Sequence, residues 1–480
     1  MNLTELSLEQ LCQGYRKKDF SVTEVTKAYI KNIEEKDGEI NAYITKTNDL
    51  ALKRAKELDE GNFDLPLYGI PLSLKDNISL KDVRMTCGSK MLENYISPYD
   101  SSVSKKVKEA GAVILGKTNM DEFAMGATTR SSYFGYTKNP LNTKLVPGGS
   151  SGGSAASVAS NTALVSVGTD TGGSTRQPAS YCGIVGIKPT YGSISRYGIS
   201  TMANTFDSPG TMGHSVEDAT SLLKILVGRD KLDATSLGNE SIEKIDLKNL
   251  DETYLKNKKI AIPKIYMEMD LKENVMSEFE RAIKKFQDLG GEVEIIDLPY
   301  LKYVIETYHI LVNGEIAPNM ARFDGLRFGH RTKEYGSIEE MYRKSRGEGF
   351  GKEVKKRIMI GTHILSLDLA EDYYYKALKV RGLIKRDMDM ALKDHDFILS
   401  QTSPILPFEL ESNMSSVEIY QADMFTIPAN MAGCPSLSVP MPIKDGLSVG
   451  IELTGKRFED DVIINCAHIF ERSFKWNIRQ

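Results

Sequence analysis

The sequence predicts an α/β protein built around one large sheet. Three observations carry this reading. Between residues 65 and 116, apolar runs alternate with an amphipathic stretch in a β-α-β rhythm. Strand-like runs return in the last third (FILSQTSPI, PSLSVPMP and SVGIELTG) and must join the sheet begun near residue 65. No internal repeat divides the 480 residues, a length that suits one large core or two to three ordinary domains. The expected organisation is a single domain over 1–480. It has N-terminal helices over 1–60, a core over 61–227, a polar connector over 228–257, and the rest of the sheet with a helical region over 258–480.

Taken in order, Ser21-Val-Thr-Glu24 is a capping box that opens an amphipathic helix through about Lys36. The pattern changes from Leu65, and LYGIPLSLKDN reads as a buried strand broken by Pro71 and ending in a loop. SSVSKKVKEAGA is a helix closed by Gly111, and AVILG is the next strand. PTYGSISRYGIS is turn-rich, and HSVEDATSLLKILVG is a helix with Ser215 as N-cap. The connector is the stretch least suited to core formation. KKIAIPK, EFERAIKKFQDLGG and EVEIIDL follow as strand, helix and strand, and residues 300–395 read as charged helices.

Composition narrows the class. Apolar residues are 41% and charged residues 26%, ordinary for a globular chain. A net charge of −4 offers no basic field to nucleic acid, so RNA-linked work would need a partner's surface. The five cysteines form no C-x-x-C pair and read as free thiols rather than a zinc site or disulfide framework. MNLTELSLEQLCQGYRKKDF has no basic start followed by an apolar run, so neither a signal nor a transit peptide is expected. No run reaches the roughly 18 apolar residues of a membrane span. The expected location is the cytoplasm.

Three motif matches point elsewhere and are set aside. Gly111-Ala-Val-Ile-Leu-Gly116-Lys117-Thr118 fits the phosphate-loop formula, but a helix precedes it and its centre is a buried strand. Gly148-Gly-Ser150-Ser-Gly152 fits a nucleophile elbow, which needs a histidine partner; His214, His309, His330, His363, His395 and His468 show no triad pattern. Ser102-Val-Ser-Lys105 fits S-x-x-K but lies on a charged amphipathic helix with no K-T-G downstream.

What remains is a Lys-Ser-Ser set. Lys75 follows an apolar strand, which draws its ammonium inward. Ser150 and Ser174 lie in two Gly-Gly-Ser clusters separated by enough chain for a helix and a strand. Alone, Lys75 would be a snorkelling surface lysine and the Gly/Ser loops turn chemistry. Together, with Asp170-Thr-Gly-Gly-Ser174 ending an apolar strand, they suggest a packed site.

GGSSGGS (148–154), DTGGSTRQPAS (170–180) and PLSLKDN (71–77) resemble the amidase signature family, and the resemblance runs across nearly the whole chain. It implies a large mixed central β-sheet flanked by helices on both faces. It also implies a triad of Lys75 as base, Ser150 in a cis peptide as relay and Ser174 as nucleophile. The N–H groups of Thr171, Gly172, Gly173 and Ser174 would receive the oxyanion; glycine lets a carbonyl approach the backbone. A working base needs a pKa of roughly 7–8. A free lysine titrates near 10.4, and closing that gap costs about 4 kcal/mol, supplied by burial and hydroxyl partners. Asp76, next along the strand, points the opposite way.

Within the family, residues 317–325, 337–362, 128–140 and 420–440 resemble the glutaminase components of tRNA-dependent amidotransferases. That likeness places Arg357 on the α-carboxylate of L-glutamine, Asp423 on the α-ammonium and Tyr308 nearby; on their own, Arg357 and Asp423 read equally well as solvated helix residues. It also implies a heterotrimer with B and C subunits. The B subunit would hold ATP, Mg²⁺ and the misacylated tRNA, Glu-tRNA(Gln) or Asp-tRNA(Asn), and receive the ammonia. No metal or cofactor is expected in this chain. Two other readings are a free-standing amidase for small or aryl amides and a nucleotide-binding scaffold using residues 111–118. One departure stands out: the family reads G-P-[ML]-x-R where this chain has Gly210-Thr-Met-Gly-His214, so no role is transferred there.

Overall fold

Lys75 and the Gly/Ser loops hang on a single mixed sheet. The structure is a computed structural model describing residues 2–61, 64–269, 271–443 and 446–474. Among the described residues, eleven strands are β1 (Tyr43–Lys46), β2 (Pro71–Lys75), β3 (Val113–Thr118), β4 (Val165–Asp170), β5 (Val185–Lys188), β6 (Ser208–Gly213), β7 (Lys259–Pro263), β8 (Glu292–Ile296), β9 (Phe397–Gln401), β10 (Ser436–Pro442) and β11 (Ser448–Gly455). Their order is β1-β3-β2-β4-β6-β5-β10-β11-β9-β7-β8. β2 runs parallel to β3 and β4, and β7 parallel to β8 and β9, while the other pairs are antiparallel. The strands of the last third do join the sheet begun by β2.

Helices cover both faces. On β6, the Thr211 hydroxyl donates to the carbonyl of Ala219 in helix Val216–Leu226. Its neighbour Met212 packs with Ala155, Val158 and Ala179 of helices Gly152–Ala159 and Arg176–Tyr181. Adjacent strand residues point to opposite faces, so each face carries a helical layer.

Local signals held where capping chemistry spoke. Ser21 and Glu24 form the reciprocal capping box of helix Val22–Ile40, and Ser215 caps Val216–Leu226. β2 starts at Pro71 rather than at Leu67, where LYGIPLSLKDN begins, because turns at Leu65–Tyr68 and Leu67–Ile70 use the backbone first. The segment Ser208–Gly213, with its proline and two glycines, carries no strand signal, yet β6 is wholly buried between β4 and β5. Pro209 lies outside residues 211–213, the stretch that pairs with β5. The polar stretch 228–257 still buries Ile242 and Leu255 completely. No helix among the described residues is long and apolar enough to cross a membrane.

Candidate active site

The parallel pairing of β2 with β4 brings Lys75 and Asp170, their last residues, to one edge of the sheet. Helix Gly152–Ala159 leads back into β4, so Ser150 and Ser151 before it lie at that same edge. Ser174 follows β4 by four residues.

Lys75 is fully buried. Its Nζ donates to Ser150 Oγ at 2.8 Å, Ser151 Oγ at 2.8 Å and Thr169 Oγ1 at 3.0 Å. Every one of these partners is neutral. Burial lowers the Lys75 pKa to about 7, against the weaker pull of Asp121, Asp170 and Asp207. Asp76 faces away: it accepts from Thr86 N–H at 2.8 Å and pairs with Lys117 at 3.3 Å. The lysine of the phosphate-loop match is thus a buried counterion on β3. The Ser102–Lys105 match lies on a half-buried helix whose exposed side carries Lys105 facing Glu109.

The Gly149–Ser150 peptide is cis. The Ser150 carbonyl accepts from Asp121 N–H at 3.2 Å, and Ser151 N–H donates to the Ser174 carbonyl at 3.2 Å. This contact sets the two serine loops side by side. Ser150 is fully buried, whereas Ser174 is partly exposed, which is compatible with the nucleophile role expected of it. A Cβ at Gly149 would lie 2.2 Å from Asp121 Oδ2. Asp121 in turn accepts from Thr128, Thr129 and Ser131 N–H groups, so one buried carboxylate supports the relay loop.

The loop Thr171–Ser174 corrects one expectation. Gly173 N–H donates to Asp170 Oδ1 at 2.9 Å, so this donor is committed to a carboxylate and is not offered to an oxyanion. Gly173 has φ of +131°, and a Cβ there would lie 2.2 Å from Thr426 Oγ1; its role is conformational. Thr171 is anchored through its hydroxyl to Asp207 at 2.8 Å, and Thr426 donates to the Gly172 carbonyl at 2.6 Å.

Beneath the loop, Arg176 is fully buried and donates to Asp170 at 3.0 and 3.1 Å, to Asn430 at 2.6 Å and to Glu452 at 2.5 Å. Burial opposes ionisation of Asp170, but Arg176 outweighs it and holds the carboxyl well below the usual range. Arg176→Met leaves two carboxylates buried without their cation. It is expected to cost about 3–5 kcal/mol of stability, read from urea denaturation. An unchanged midpoint would show that the network does not support the loop.

On the outer side, a Cβ at Gly172 would lie 2.6 Å from the Tyr308 hydroxyl, so this ring covers the loop. Arg357 is 4% exposed. Among the described residues, its Nε alone has a hydrogen-bond partner, Glu353 at 2.8 Å. Asp423 Oδ1 is buried with no hydrogen-bond partner. Burial, reinforced by Asp170, raises the Asp423 pKa well above the carboxylate range, while Arg357 opposes this. Tyr308 also feels both Arg357 and Asp423 electrostatically, and Thr426 donates to the carbonyls of both Gly172 and Asp423, which ties Asp423 to the Thr171–Ser174 loop. Motifs had not indicated Ser151, Thr169, Asp121, Arg176, Thr426 or Glu353.

A sequence profile of the family described as Amidase matches residues 24–464, and the chain belongs to that family. It is 44% identical over 483 residues to the A component of the Glutamyl-tRNA(Gln) amidotransferase of Thermoanaerobacter pseudethanolicus, covering 100% of this chain and 98% of the relative. The crystal structure of the corresponding A component of the Glutamyl-tRNA(Gln) amidotransferase from Thermotoga maritima aligns with TM-score 0.80 at 36% identity, over 98% of this chain and 95% of that one. The peptide amidase from Stenotrophomonas maltophilia aligns with TM-score 0.82 at 28% identity, over 98% and 97%. One fold therefore serves more than one amide substrate.

Proposed function

We propose that this chain is the glutamine-hydrolysing component of a tRNA-dependent amidotransferase, supplying ammonia for amidation of Glu-tRNA(Gln), with Asp-tRNA(Asn) as the other acceptor. It works in the cytoplasm in a heterotrimer with B and C subunits, and ATP and Mg²⁺ act on the B subunit. The observation that carries the choice of glutamine is the Arg357 and Asp423 pair beside the serine loop, one with a buried guanidinium edge that has no hydrogen-bond partner among the described residues and the other with an unpartnered carboxylate oxygen. A planar guanidinium suits the α-carboxylate, and a cation at Asp423 restores the ionisation that burial disfavours. Full-length similarity to the A component of a Glutamyl-tRNA(Gln) amidotransferase supports the same reading.

Proton accounting gives the mechanism. Neutral Lys75 takes the Ser150 proton, Ser150 takes the Ser174 proton, and Ser174 Oγ attacks the side-chain amide carbon. The oxyanion is received by N–H groups of Thr171, Gly172 and Ser174. Return of the proton expels ammonia and leaves a γ-glutamyl ester on Ser174, which water hydrolyses to glutamate.

Arg357→Met is expected to raise KM for glutamine roughly 100-fold, because a desolvated charge pair is broken. Steady-state glutaminase assays of the assembled complex measure this. Faster turnover of asparagine or simple amides than of glutamine by the parent complex overturns the glutamine reading and favours a free-standing amidase.

A further inference from the structure

Glu353 belongs to neither the triad nor the groups assigned to substrate, yet three side chains converge on it. Its Oε1 accepts from Arg357 Nε at 2.8 Å and from the Tyr420 hydroxyl at 2.5 Å, and its Oε2 pairs with Lys356 at 2.7 Å. Glu353 and Arg357 stand one turn apart on helix Lys352–Ile364. Tyr420 comes from a different element, helix Ser416–Gln421, three residues before Asp423. The guanidinium of Arg357 lies 5.3 Å from the centre of the Tyr420 ring. Lys356 Nζ also lies over that ring, at 5.1 Å from its centre, and His309, directly after Tyr308, packs against it at 4.1 Å between centroids.

Two consequences follow from this geometry. A guanidinium held at Nε and stacked on a ring has its plane fixed, and only its outer edge is left to meet a carboxylate fork. The Tyr420–Glu353 bond also ties the segment carrying Asp423 to the helix carrying Arg357, and so sets the span between the two charged groups. Burial opposes ionisation of Glu353, but Arg357, Lys356 and Tyr420 together hold its pKa at about 2, so it stays an acceptor through the working range. Burial lowers the His309 pKa to about 3, with Arg357 adding to it, so the imidazole brings no positive charge to compete for the substrate carboxylate.

We propose that Glu353 and Tyr420 form a latch that orients Arg357 and spaces it from Asp423, making them positioning residues that confine the site to amides of an α-amino acid. The proposal rests on the reading of Arg357 and Asp423 as the glutamine-recognising pair. It adds how a common fold is narrowed to one substrate class by a bond between two elements that never touch the reacting atoms.

The test compares kcat/KM for glutamine with that for 4-aminobutanamide, which lacks only the α-carboxylate, using the chain assembled with its partner subunits. Glu353→Gln is expected to reduce the glutamine preference about tenfold. Tyr420→Phe keeps the ring and loses the hydroxyl, and is expected to reduce the preference severalfold. Glu353→Asp restores part of it. If either the Gln or the Phe variant slows both substrates alike and leaves the ratio unchanged, the residues serve folding alone and the latch is overturned. A parent complex with no preference for glutamine overturns the glutamine reading, and the latch with it.

Discussion

Ser174→Ala is expected to reduce glutamine hydrolysis by about 10⁴-fold or more, because members of a nucleophilic triad act as one unit. Ser174 is the partly exposed serine, on the loop that Tyr308 covers and that Asp170 and Arg176 support from below. The neighbouring serines Ser150 and Ser151 are fully buried and bound to Lys75. If Arg357 and Asp423 bind glutamine as proposed, glutamine is expected to protect the variant from thermal unfolding as it does the parent. Rapid-quench trapping of a γ-glutamyl ester in the parent but not the variant completes the test. Parent-like turnover by Ser174→Ala would remove the assignment.

Lys75→Arg is nearly as inactive, since a guanidinium cannot give up its proton. In the parent, kcat/KM rises with unit slope below about pH 7 and levels above it, because burial lowers the Lys75 pKa to about 7 and the neutral amine is the working form. A flat profile from pH 5.5 to 8 would refute the base. The same shift has a stability signature. The unfolded lysine keeps its proton until about pH 10.4, so between 7 and 10 the unfolded chain binds the extra proton, and this group's contribution to stability rises with pH. From pH 7 to 9 the parent is expected to gain about 2 kcal/mol relative to Lys75→Met in urea denaturation. At pH 7 the methionine variant gains from no longer burying a proton-binding amine, against hydroxyls left unpaired, so it is expected to melt no lower than the parent.

Much of the site was legible because its chemistry is written in short runs. Lys75 ends an apolar strand and the second Gly/Ser loop follows another, both plain in sequence, and parallel pairing of β2 with β4 then delivers them to one edge, where the helix after the first loop also leads. Less was legible where a role depends on a distant partner. β6 looks like a loop because proline and glycine disfavour strands; it pairs because β4 and β5 bury it on both sides. Gly173 looked like an oxyanion donor, and only the Asp170 carboxylate shows the N–H to be spent. Arg176 stands six residues from Asp170, but Glu452 and Asn430, which complete its environment, lie more than 250 residues away.

The amino-acid order by itself determined the α/β class and the capped helices, and it singled out Lys75, Ser150 and Ser174 as the candidate base and serines, since periodicity, caps and short motifs are local. The tertiary structure alone decided that Lys75 is ringed by hydroxyls while Asp76 is paired with Lys117, and that Arg357 and Tyr420 meet on Glu353. The reason is physical: a proton's affinity and a guanidinium's orientation depend on every group within a few ångströms, and here those groups come from elements far apart in the chain.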